Sequence, residues 1–159
     1  KALEEKKSKE LENLLKELEA KEGATKVAEG EFIWPVPKNN RRISSSFGYR
    51  TLQGKREHHN GIDIPCPYGT EIYASNSGTV VKAEYDSSYG YYVLINHGGG
   101  IATLYGHCSK LKVSEGQTVK KGQVIALVGS TGHSTGNHVH FEVRKSGVRV
   151  NPLGYVKQP

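Results

Sequence analysis

The periodicity of the chain breaks near Phe32, and that break decides what kind of domain can form. Before it, residues 1–22 are rich in Glu, Lys, Leu and Ala, all good helix formers. Leu11, Leu14, Leu15 and Leu18 recur at spacings of three, four and seven, one stripe of a helix. After the break, helical spacing disappears and short alternating runs stand between Gly, Asn and Ser punctuation, the pattern of antiparallel strands. The alternation predicts strands at 61–64, 70–74, 78–85, 91–97, 101–107, 118–120, 123–128, 138–144 and 147–150. The triple glycine 98–100 joins Val93-Leu94-Ile95 to Ile101-Ala102-Thr103-Leu104 as a hairpin, and 115–126 reads as strand, tight turn, strand. The expected fold is mainly β, preceded by one helix. The leucine stripe fits the end of a coiled coil with a partner helix; a charged helix docked on its own domain carries the same stripe. Gly23 and Gly30 bracket a polar linker, so the chain divides into a helix at 1–22, a linker at 23–31 and a β domain at 32–159.

Composition narrows the classes of function. With 159 residues and 35% hydrophobic content, the composition argues against disorder throughout. No apolar stretch reaches the ~18–20 residues of a membrane span. The absence of methionine suggests a mature or trimmed piece of a longer chain. The net charge of +6 is uneven: residues 1–31 carry seven Lys/Arg against nine Asp/Glu, and the remainder is net +8. A basic domain favours polyanions, but no aromatic–basic motif of a nucleic-acid reader is present, so nucleic acid is not an expected partner. Two cysteines, Cys66 and Cys108, are too few for a disulfide framework; they either pair or sit as small buried thiols.

The seven histidines carry the chemistry. His138 and His140 lie two apart on a predicted strand and therefore face one side. Such a pair suits a shared metal pocket, one imidazole as ligand and the other as acid/base or charge stabiliser. In His59-Asn60-Gly61-Ile62-Asp63-Ile64, Asp63 projects opposite an apolar face. A straight strand would hold His59 and Asp63 ~13 Å apart, and Gly61 permits the bend that lets them converge. Two imidazoles and a carboxylate form a zinc set with a fourth position open. Spacing alone does not choose between His58 and His59. His107 closes an otherwise apolar strand, whereas His97 reads as a turn residue and His133 as a surface one.

Taken in order, these motifs resemble the lysostaphin- or LytM-type zinc metallopeptidases, which are peptidoglycan endopeptidases. The match runs through Phe32-Ile33-Trp34-Pro35, Ser44-Ser45-Ser46-Phe47-Gly48, His59-Asn60-Gly61-Ile62-Asp63, Tyr105-Gly106-His107, Gly136-Asn137-His138-Val139-His140-Phe141-Glu142 and Asn151-Pro152. The resemblance implies a LytM-like, duplicated-hybrid-motif architecture with a groove over a Zn2+ site. It assigns the metal to His59, Asp63 and His140, and catalytic help to His138 and His107. It implies peptidoglycan peptides as substrate, by stem crosslink or bridge, and an extracytoplasmic location, either secreted or anchored through a segment outside this sequence. Anionic wall polymers are a further expected partner of the basic domain. Glycine-rich loops and the tyrosines at 89, 91, 92 and 105, Tyr105 foremost, are candidates for shaping the substrate groove. Cys66 and Cys108 depart from the common pattern without removing a ligand or a catalytic group, which makes redox sensitivity near the site a question for the structure. The competing reading is a non-catalytic relative that activates other wall hydrolases.

Overall fold

The computed structural model describes residues 2–22, 30–52 and 54–159. Among the described residues, helix α1 (Ala2–Glu22) precedes eleven strands: β1 (Gly48–Leu52), β2 (Lys55–His59), β3 (Ile62–Pro65), β4 (Glu71–Tyr73), β5 (Gly78–Asp86), β6 (Gly90–Gly98), β7 (Ile101–Leu111), β8 (Thr118–Val119), β9 (Val124–Val128), β10 (His138–Lys145) and β11 (Val148–Val150). All nine expected strands form, and no helix among the described residues is long and apolar enough to cross a membrane. The expected linker at 23–31 lies largely outside the described residues.

The hairpin β1–β2 is the element the alternation did not anticipate. Its sequence is polar and charged on both sides of the turn, so neither face presents an apolar period to read.

The main antiparallel sheet runs β11-β10-β7-β6-β5-β8. β3 adds to β10, while β9 bridges β7 and β4. Successive side chains on a strand alternate between faces, and here both faces are buried. Val93, Ile95, Tyr105, Val139, Phe141 and Val143 enter one core with Ile62, Ile64 and Ile72. Tyr92, Leu94, Ala102 and Leu104 enter a second cluster, completed by Leu11 and Leu15 of α1. This explains why 92–95 is an unbroken apolar run rather than an alternating one.

Leu11 and Leu15 of the α1 stripe are therefore taken up by the domain's own sheet. Leu11 is 1% exposed and Leu15 7%. Polar contacts extend the docking: Lys7 Nζ lies 3.0 Å from Glu84, Ser8 meets Arg144, and Arg149 meets Glu4 and Glu5. The reading of a charged helix docked on its own domain therefore accounts for Leu11 and Leu15, while Leu14 and Leu18 stay half-buried beside Val80, Val81 and Lys82.

Candidate metal centre

Three strands meet at the site. β10 pairs with β3 through residues 138–141 and with β7 through 140–145. The registers place His140 opposite Asp63 on one side and Gly106 on the other. Just beyond Gly106, β7 leaves β10 and takes β9 as its partner. His107 sits at that transition with φ 63°, a left-handed backbone that a side chain adopts only when its surroundings impose it.

Asp63 reaches the cluster because the chain turns between β2 and β3. His59 Nε2 comes within 3.5 Å of Asp63 Oδ2. Gly61 in that turn is required by close approach: a Cβ there would lie 2.6 Å from the Phe141 carbonyl oxygen and 2.9 Å from His140 Cε1. The segment before β1 secures the other edge of β3, with Asp63 N donating to the Ser45 carbonyl and Ser44 N to the Asp63 carbonyl, each at 2.9 Å.

Four imidazoles converge here, and each is oriented by its far nitrogen. His59 Nδ1 lies 3.1 Å from the Ser46 carbonyl, His107 Nδ1 2.7 Å from the Thr131 carbonyl, and His138 Nδ1 2.9 Å from the Gly136 carbonyl. A carbonyl only accepts, so Nδ1 carries the proton in all three and Nε2 is left as the working atom. His140 is inverted: Nε2 lies 2.9 Å from Glu142 Oε2, and Nδ1 faces Asp63 Oδ1 at 2.9 Å. The rings pack closely, with centroids 4.9 Å apart for His107–His138 and 5.3 Å for His59–His140.

The electrostatics follow from burial and pairing. Burial opposes a charge on His140, but hydrogen bonds to Asp63 and Glu142 outweigh it and push its pKa up to about 10. Burial likewise opposes the Asp63 carboxylate, yet His140 and His59 hold it well below the usual carboxylate range. Glu142 is fully buried, and Arg144 with His140 keeps it ionised. Burial, reinforced by the nearby His140 charge, lowers His107 to about 4, so at neutral pH it is an uncharged acceptor.

The donor set fits a metal ion. Among the described residues, His59, Asp63 and His140 bring one donor atom each within 4.8 Å of one another. Donors on a tetrahedral zinc lie ~3.3 Å apart for bonds of about 2.0–2.1 Å; His59 Nε2 lies 3.5 Å from Asp63 Oδ2 and His140 Nδ1 2.9 Å from Asp63 Oδ1, both close to that spacing. Each ligand histidine also has the outer partner that metal-binding imidazoles use to fix tautomer and angle. A second trio, Glu4, His140 and Glu142, is equally close. It suits a cation poorly, because Arg144 lies 2.8 Å from Glu142 and Arg149 3.3 Å from Glu4.

The structure thus brings together His59, Asp63, His107, His138 and His140. It places His58 elsewhere, its ring edge-on to Phe47 and Tyr49 and Nδ1 2.6 Å from Asn60 Oδ1. Tyr105 does not line a groove: its ring is fully buried and its hydroxyl accepts from Ser75 N at 2.9 Å. Tyr89 and Tyr92 are buried as well, leaving Tyr91 the exposed member of that group. The 98–100 turn packs by Glu19 of α1 instead of the histidines. His97 is not a turn residue; it is fully buried on β6 between Ser77 and Thr103. Both cysteines are free and buried, and burial pushes Cys66 up to about 11 and Cys108 up to about 12, which leaves little reactive thiolate at neutral pH. Glu142 and Arg144 escaped the sequence reading, although the alternation that pairs His138 with His140 continues through both.

A mainly β domain with a His/Asp/His donor set beside two further anchored imidazoles is a metallopeptidase architecture. Residues 57–152 match peptidase family M23, and the chain belongs to that family. It is 45% identical over 114 residues to the DD-carboxypeptidase/endopeptidase Mpg of Neisseria meningitidis, a match covering 70% of this chain and 26% of that protein. It is 43% identical over 115 residues to the peptidoglycan DD-endopeptidase ShyA of Vibrio cholerae, covering 70% of this chain and 27% of that one. Among solved structures, a zinc-containing peptidase from Vibrio cholerae superposes with a TM-score of 0.73 at 38% identity, over 77% of this chain and 39% of the other. The chain spans about a quarter of the length of the curated relatives it matches. Family and fold agree with the resemblance carried by the motifs.

Proposed function

We propose that this chain is a zinc-dependent endopeptidase that hydrolyses peptide bonds of bacterial peptidoglycan, outside the cytoplasm. One observation carries the reading: His59, His138 and His140 are each anchored by one nitrogen and bring the other to within 3.5, 3.8 and 2.9 Å of the Asp63 carboxylate, with the anchored His107 ring packed against His138 and His140. A merely structural histidine cluster has no use for that convergence. His59 Nε2, an Asp63 oxygen and His140 Nδ1 are the three ligands. Zinc, when bound, supplies Lewis acidity toward a peptide carbonyl and acidifies water.

The remaining two imidazoles divide the proton work. One of His107 and His138 accepts the proton of the attacking water at Nε2 and returns it to the departing amine; the other, when protonated at Nε2, hydrogen-bonds the developing oxyanion. Anchoring by Thr131 and Gly136 fixes both rings before substrate arrives, which removes reorganisation from the reaction. A non-catalytic activator would not need these two groups. Peptidoglycan as substrate rests on the named activity of ShyA, and the +8 of residues 32–159 suits anionic wall polymers. Salt-independent binding to purified walls would exclude that electrostatic part.

The test is digestion of purified sacculi, with released fragments identified by mass spectrometry. New peptide ends are expected from the intact protein and not from His138→Ala or after chelation. No release from several wall chemistries by zinc-loaded protein would overturn the assignment.

A further inference from the structure

One face of β10 runs from the metal centre to the N-terminal helix. His138, His140, Glu142 and Arg144 alternate along it, and the last three are buried. Glu142 accepts from His140 Nε2 at 2.9 Å, from the Tyr89 hydroxyl at 2.7 Å and from Arg144 Nε at 3.1 Å. The outer donors of Arg144 then cross to α1: Nη1 reaches the Ser8 carbonyl at 3.3 Å, and Nη2 the Ser8 hydroxyl at 3.1 Å. Arg149 runs alongside, 3.3 Å from Glu4 and 4.0 Å from Glu142.

We propose that helix α1 is a positioning element of the metal site, acting through Ser8, Arg144 and Glu142 on the orientation of His140. The proposal rests on reading His59, Asp63 and His140 as metal ligands. The docked helix closes the far end of this buried line and makes Arg144 1% exposed. Ser8 thus adds to the Gly147 carbonyl at 3.0 Å and the Tyr89 hydroxyl at 3.3 Å in holding Arg144, whose guanidinium in turn holds the Glu142 carboxylate. Glu142 fixes His140 with Nδ1 aimed at Asp63. Without Ser8, Arg144 loses a partner inside a buried network, where an unsatisfied donor is costly. Glu142 then keeps Tyr89 and His140 but meets a less firmly held Arg144, and the ligand it orients loosens.

Coupling of this kind is reciprocal: helix docking tightens metal binding by the same factor that metal binding tightens helix docking. The helix thereby gives the site a handle on its outer side, away from the substrate.

The test uses the full chain. Zinc affinity is measured by competition with a chromophoric chelator, and amide hydrogen exchange of α1 is followed with and without zinc. Ser8→Ala removes the hydroxyl that accepts from Arg144 Nη2 and leaves the Ser8 carbonyl in place on Nη1. Lys7→Ala breaks a neighbouring helix–domain ion pair that lies off the line. Losing an outer partner of a ligand costs about 10–100-fold in affinity. One step further out, Ser8→Ala is expected to weaken zinc by about 3–10-fold, with Lys7→Ala near wild type and Ser8→Thr restoring the affinity. Zinc is expected to slow exchange of the α1 amides in the wild type, and to do so less in Ser8→Ala. Unchanged zinc affinity in Ser8→Ala, equal losses in both alanine variants, or helix exchange indifferent to zinc would each overturn the proposal while leaving the metal site intact. A wild-type chain that binds no zinc would overturn both.

Discussion

His140 and Asp63 lie directly opposite each other on adjacent antiparallel strands, and Nδ1 of one is 2.9 Å from Oδ1 of the other. The pairing makes the candidate metal site a property of strand register. A slip of one residue between β3 and β10 would send one partner to the opposite face of the sheet.

Asp63→Asn tests the ligand role of the carboxylate. It preserves shape while removing the charge that offsets a cation. Zinc affinity is expected to fall by more than the about 10–100-fold that losing an outer-shell partner costs, with the fold retained. Competition with a chelator, alongside circular dichroism, measures both. Affinity within a few-fold of wild type would remove Asp63 from the ligand set.

Gly61→Ala probes the turn that brings His59 and Asp63 together. The added methyl would meet the Phe141 carbonyl oxygen at 2.6 Å, a backbone atom held in the sheet. Overpacking of this kind costs about 1–3 kcal/mol, and because His140 Cε1 is the next contact, zinc affinity should fall too. Thermal unfolding and zinc titration together check this; an unchanged melting temperature would contradict it.

Acid sensitivity is expected to come partly from His97, far from the proposed ligands in sequence. A directional chain runs from Ser75 N to the Tyr105 hydroxyl, to Thr103 Oγ1 and on to His97 Nε2, while His97 Nδ1 donates to the Ser77 carbonyl. Burial lowers the pKa of His97 to about 4 from an ordinary 6.5. The folded value is the lower one, so the neutral ring contributes stability that is full above pH 6.5 and is lost as pH falls toward 4. The loss amounts to about 3 kcal/mol. Denaturant unfolding across this window should show a shallower acid limb for His97→Gln; parallel limbs would count against it.

Tyr105→Phe separates core from groove. Deleting the hydroxyl strands the buried Ser75 N–H and should cost about 1–3 kcal/mol of stability. Peptide release from sacculi should keep its dependence on substrate concentration. A raised KM with unchanged stability would return Tyr105 to the substrate groove.

These residues show what local sequence carries and what it does not. Nine strands were legible because alternation toward a core is a local signal, and His138 with His140 was legible for the same reason. The convergence of His59 with Asp63 was legible through Gly61. Hairpin β1–β2 was not, because it has no apolar face to alternate. Neither was the fate of the Leu11 and Leu15 stripe, since its partner is the second face of a sheet formed some 80 residues later. His97 and Tyr105 were misplaced because their burial depends on Thr103 and on carbonyl and amide groups at 75–77, which only the folded chain assembles.

The most direct test of the metal centre is a crystal structure of the zinc-loaded protein with anomalous data at the zinc edge. One peak is expected at about 2.0–2.2 Å from His59 Nε2, an Asp63 oxygen and His140 Nδ1, with Glu142 still hydrogen-bonded to His140 Nε2. A peak among Glu4, Glu142 and His140 Nε2, or none at either place, would contradict the site on which the proposed peptidase activity rests.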